Sequence, residues 1–162
     1  MRSKGWIRSP WLTIRVQLAL GAIFLFAGFS KIADPPGFAQ EISNYRLVPA
    51  PAVHVLALVL PWVEVVSGLA LVLGFWRQTA AAILGILLLV FVAGLSINLA
   101  RGRPIECGCF GASAAAKTPA ELLTEMKWGI ARDLGMLAMA GQLLAAASER
   151  RRWTGPALRP RP

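Results

Sequence analysis

The chain has two cysteines, Cys107 and Cys109, separated only by Gly108. Across one intervening residue two Cα atoms lie at most about 7 Å apart, and a disulfide prefers roughly 4.4–6.8 Å. A bend at the middle residue therefore allows closure, and Gly108 supplies it most readily because glycine tolerates left-handed dihedrals. The ring so formed is tight, and a strained disulfide is more easily reduced. Arg101 and Arg103 stand a few residues upstream, where positive charge favours the nucleophilic thiolate. These residues suit thiol–disulfide exchange. Two other readings stay open: an inert local bridge, and a soft monovalent ion such as copper held by two thiolates. No zinc site is assigned, since a structural one takes four ligands and His54 is the sole histidine beside the two cysteines.

A second set of chemistry-bearing residues is ionisable and sits within apolar runs. Glu64 falls near the middle of its run, where a carboxylate is costly unless paired or protonated. Lys31 and Arg132 are its candidate partners. Such a trio can relay protons or hold a polar pocket for a small redox molecule such as a quinone. It can equally be a buried contact that fixes helix geometry. Asn98 is a polar group just below the cysteine segment, and His54 reads as an interface residue.

The elements that must position these residues are membrane spans. Of the 162 residues 56% are apolar, too many for an ordinary soluble domain of this size. The net charge of +9 sits mostly at the two ends. With no basic stretch interleaved with stacking aromatics, nucleic acid is not expected as a partner. Apolar runs at about 16–33, 53–75, 79–100 and 130–147 are long enough to cross a bilayer. They predict a single all-α integral membrane domain, a four-transmembrane-helix bundle with short interfacial helices. The basic start and first run also fit a secretory signal peptide, but no small-x-small cleavage site follows Ala27-Gly28-Phe29, so the first helix is expected to be retained.

Between the first two runs, Asp34-Pro35-Pro36 can cap and start a short helix. Phe38, Ile42 and Tyr45 then share one face, and a helix lying on the membrane surface is expected. Pro61 should kink the second span. In the third, Ala81 and Gly85 form a small-xxx-small pair suited to close packing. Thr118-Pro119-Ala120-Glu121 reads as a capping box opening the last helix. From there to Ala147 the helix would measure about 43 Å, longer than the roughly 30 Å hydrocarbon core, so its first turns are expected at the surface.

Orientation follows from lysines and arginines. The side holding both ends and Arg77 carries ten; the side holding the loops at 34–52 and 101–129 carries seven and most of the acids. Both termini, including the basic tail at 149–162, are therefore expected to be cytoplasmic. The cysteine loop is expected on the periplasmic or extracellular side of a bacterial inner membrane, an oxidising compartment where disulfides persist.

Several motifs together resemble the MauE/DoxX-like membrane proteins: Gly21-Ala22-Ile23-Phe24, then Ala27-Gly28-Phe29-Ser30-Lys31 with Asp34-Pro35, Tyr45 before a proline-rich turn, and Pro61-Trp62-x-Glu64-x-x-x-Gly68. Cys107-Gly108-Cys109-Phe110-Gly111 after Arg101-Gly102 points within that group to the methylamine-utilisation MauE branch. The resemblance covers about residues 15–132 and implies a bundle similar in outline to the quinone-linked membrane disulfide oxidases. It also implies maturation of a disulfide-containing periplasmic enzyme, such as methylamine dehydrogenase, alongside a thioredoxin-like partner. Cys107 and Cys109 would be the redox pair, with Gly108, Phe110 and Gly111 shaping their loop, and Glu64 the family's intramembrane acid. A second cysteine pair, used by the membrane disulfide oxidases to relay electrons, is absent from this chain. A non-catalytic assembly factor is the alternative from another class.

Overall fold

The structure, a computed structural model, describes residues 10–103, 105 and 118–153. These residues form five helices and no strand: α1 Pro10–Ala33, α2 Pro35–Asn44, α3 Ala50–Leu73, α4 Arg77–Ala100 and α5 Pro119–Trp153. All but α2 are long and apolar enough to cross a membrane. The outward side chains match that solvent. Phe26, Trp62, Val66, Ile86 and Leu89 are all more than half exposed, a surface water would penalise and lipid tails do not.

α1 packs along α3, α4 along α5, and the short turn at Gly74–Trp76 makes α3 and α4 antiparallel neighbours. Gly74 ends α3 in the left-handed region at φ 77°, its N–H donating to the Leu71 carbonyl. A β-carbon is costly there, so the second span closes at Leu73 rather than running to Phe75. The core at this end gathers Leu20, Phe24, Leu71, Leu84, Met136 and Leu143.

The closest helix approach is the α1–α3 seam. A β-carbon at Gly21 would stand 2.9 Å from the Gly68 carbonyl oxygen, and one at Gly28 3.0 Å from that of Pro61 and 2.6 Å from Val65 Cγ2. By contrast, the Ala81–Gly85 pair singled out from sequence faces α5 with room to spare, 3.8 Å from a built β-carbon at Gly85 to Ala140 Cβ. Backbone is the obstacle at Gly28, so the helices must separate to admit a side chain. Gly28→Leu is expected to cost about 1–3 kcal/mol through overpacking, whereas Gly141→Ala, with open space around it, should stabilise slightly by helix propensity. Reversible unfolding in mixed micelles measures both.

α2 is the short helix expected between the first two spans. Asp34 caps it, its carboxylate accepting from the Gly37 N–H at 3.0 Å, and Phe38 and Glu41 are buried. Tyr45 settles on α4 where a β-carbon at Gly94 would come within 3.0 Å of the ring. α2 therefore packs at the mouth of the bundle against α3, with a smaller contact on α1. Phe38 and Tyr45, on the expected apolar face, are buried against the bundle.

Candidate functional site

The site is built at the end of the bundle where α1 ends, α3 begins, and α4 hands over to α5. Cys107, Gly108, Cys109, Phe110 and Gly111 lie outside the described residues, but both flanks of their segment are fixed. α4 closes with paired bonds, the Gly102 N–H donating to the Leu99 carbonyl and the Arg103 N–H to the Asn98 carbonyl, with Gly102 at φ 64°. This is a Schellman closure, which needs a left-handed residue at the glycine position. Arg101 and Arg103 are exposed on it. The chain then drops Ile105 into a small core with Tyr45, Leu95 and Met126, and the Ile105 N–H reaches Met126 Sδ at 3.4 Å.

On the far flank Thr118 and Glu121 form the expected capping box. Glu121 Oε2 accepts from the Thr118 N–H at 2.7 Å and from its hydroxyl at 2.8 Å, and Thr118 Oγ1 accepts from the Glu121 N–H at 3.4 Å. Asn98 ties the flanks to α2: its amide Nδ2 donates to the carbonyls of Tyr45 at 3.2 Å and Gly94 at 3.0 Å.

Deeper in the bundle is the charged centre. Lys31 Nζ lies 2.6 Å from Glu64 Oε1 and 2.8 Å from Oε2, with the two side chains 3% and 1% exposed. The Phe38 and Phe91 rings hold the same ammonium at 5.0 and 5.1 Å from their centroids, within cation–π range. Of the two candidate partners for Glu64, Lys31 makes this pairing. Arg132 instead engages Asp133, donating from Nε at 3.1 Å and Nη2 at 3.0 Å to Oδ1. Lys31, Glu64, Arg132 and Asp133 all line one cavity of about 30 Å³ with Leu88, Phe91 and Met136. Asp133 falls within the apolar run at about 130–147, but its type and position there gave it no role.

Beside this centre is an apolar cleft of about 180 Å³ between α2, α3 and α4, lined by Phe38, Tyr45, Leu60, Val90 and Phe91 among others, with buried Glu41. Val90 is 64% exposed, so the cleft opens sideways to lipid. Its walls are aromatic and aliphatic. Phe38 and Phe91 are shared walls, bordering the cleft on one side and the Lys31 ammonium on the other. Glu41 escaped the sequence reading although it lies three residues after Phe38, a spacing that shares a helix face. His54 is exposed, in a groove with Pro35, Pro36 and Gln40.

Comparison with known proteins bears on this arrangement. A family profile described as methylamine utilisation protein MauE matches residues 9–146. The chain is 39% identical over 102 residues to the methylamine utilization protein MauE of Paracoccus denitrificans, a match covering 62% of this chain and 55% of that protein. It is 27% identical over 146 residues to the protein of the same name from Methylophilus methylotrophus, covering 90% of this chain and 72% of the relative. With the Methylorubrum extorquens protein of that name it shares 35% identity over 105 residues, 64% of this chain and 56% of the relative. The chain thus spans little more than half the length of two of these relatives. No solved structure matches.

Proposed function

The chain belongs to the methylamine utilisation protein MauE family, and from that premise we propose that it is a membrane thiol–disulfide exchange protein serving maturation of a periplasmic enzyme of methylamine utilisation. Cys107 and Cys109 are its redox pair, on the periplasmic side of the bacterial inner membrane. A thiolate of a thioredoxin-like partner attacks the Cys107–Cys109 disulfide, forming a mixed disulfide and releasing one thiolate. The partner's second thiolate then attacks the mixed bond, so the partner leaves oxidised and this chain is left as the dithiol. The same steps in reverse reduce the partner. Arg101 and Arg103 hold the released thiolate in its charged form.

Return of the dithiol to the disulfide gives up two electrons and two protons. A quinone bound against Phe38, Tyr45, Leu60 and Phe91 would supply the sink for both. The intramembrane charges of Glu64, Lys31 and Arg132 lie on the route those protons take. The observation that best supports this reading is the anchoring of both flanks of the cysteine segment. Ile105 and Thr118 are held at one end of the bundle, the end at which α1 brings in the buried Lys31–Glu64 pair.

The test is to trap the intermediate. With either cysteine replaced by serine, the remaining thiol is expected to accumulate a mixed disulfide that mass analysis resolves into this chain and a periplasmic thioredoxin-like protein. In intact cells a membrane-impermeant thiol reagent should label Cys107 after gentle reduction. A non-catalytic assembly factor predicts no mixed disulfide, and labelling only after lysis would reverse the orientation.

A further inference from the structure

The charged centre contains four carboxylate oxygens. Both oxygens of Glu64 accept from the Lys31 ammonium. Asp133 Oδ1 accepts two bonds from Arg132. Asp133 Oδ2 is buried and receives a hydrogen bond from no donor among the described residues. The Asp133 residue is 1% exposed, and a buried carboxylate oxygen without a donor is costly. The cavity it borders, about 30 Å³, is large enough for one water.

We infer that Asp133, rather than Glu64, is the carboxylate that takes up a proton in this centre, through a single water held between the Arg132–Asp133 and Lys31–Glu64 pairs. Protonating Glu64 would require displacing an ammonium bonded to both of its oxygens. Protonating Asp133 at Oδ2 leaves the Lys31–Glu64 ion pair intact and both Arg132 hydrogen bonds to Oδ1 in place. A proton arriving on the water passes to Oδ2, giving a neutral carboxyl and leaving the water neutral; release restores the carboxylate.

The groups facing Oδ2 come from three helices: Lys31 on α1, Glu64 on α3 and Arg132 on α5. α4 contributes only the apolar Leu88 and Phe91, while Glu41 of α2 lines the neighbouring cleft. The use of such a site, holding a proton of thiol oxidation, rests on the function proposed above. Its test does not, because it is read on the resting protein.

The chain contains two aspartates, Asp34 and Asp133, so isotopic labelling can identify the group without altering it. Infrared difference spectra between acid and neutral pH would be taken on the full chain in lipid nanodiscs. Asp34→Ser, which preserves a helix cap, serves as the background. With ¹³C-aspartate, the carboxyl band that responds to pH and to D₂O is expected to move to lower frequency. It should vanish in Asp133→Asn and persist in Glu64→Gln. A band unmoved by the aspartate label overturns the assignment, as does its absence altogether or its loss in folded Glu64→Gln. Should Asp133→Asn fail to fold, the labelled protein decides alone. Failure here with a trapped mixed disulfide in hand leaves the exchange function standing.

Discussion

Replacing Cys107 and Cys109 together by serine is expected to reduce maturation of the client enzyme to the level of a strain lacking the protein, with the variant still present in the membrane at normal amount. Serine keeps the size and polarity of the loop but supplies no thiolate at neutral pH, and the thiolate is the species that exchanges. The described fold gives no reason for the substitution to unsettle the bundle. The flanks are held by Ile105, the Gly102 closure and the Thr118–Glu121 box, none of which uses sulfur from a cysteine. Active client and the amount of this chain should therefore be measured in the same membranes. Normal client activity in the double variant would remove the redox reading and leave the assembly-factor reading in its place.

The second large effect is on stability and comes from the buried ion pair. Removing one partner of a buried pair leaves an uncompensated charge, at a cost of about 3–5 kcal/mol. Lys31→Met also loses two aromatic contacts with the ammonium, so it should fall at the upper end. Against a total stability of about 5–15 kcal/mol for a typical domain, either Lys31→Met or Glu64→Met would leave a poorly folded population. The double variant Lys31→Met with Glu64→Met removes both charges and fills similar volume, a change that is often neutral. It is expected to recover most of the loss. Unfolding of all variants in mixed micelles closes the cycle; a double variant no more stable than the weaker single one would show that the charges do not act as a pair.

Much of this was legible in the residues. Apolar length alone marks the spans, and Thr118 with Glu121 three residues on announces the cap that the structure contains. The pairing of Lys31 with Glu64 was one of two open choices, and only packing decides between them. Arg132 and Asp133 show why. Successive residues on a helix point about 100° apart, so the two cannot be equally buried, and helix rotation is not written in their identities. The structure turns Asp133 in, at 2% side-chain exposure, and leaves Arg132 at 33%. α2 is a similar case. Its apolar face is plain in Phe38, Ile42 and Tyr45, but the seat of Tyr45 depends on Gly94, a distant residue of α4 lacking a side chain. The tight seam of Gly21, Gly28 and Gly68 was missed because glycine spacing on one helix says nothing until the facing helix is known. The flanks of the cysteine segment were readable as structure.

The way the intramembrane charges are paired also bears on how the chain enters the bilayer. A lone charged residue at the middle of an inserting helix costs about 2.5–3.5 kcal/mol. Lys31 closes its pair with the next span in sequence, and Arg132 with the adjoining residue of the same helix. Neither cation depends on a helix synthesised much later to cancel it. α1 and α3 can leave the translocation machinery as a hairpin of balanced charge, sealed by glycine against backbone, before α4 and α5 are complete. α5 then arrives with Arg132 already paired to Asp133, bringing with it the second flank of the cysteine segment.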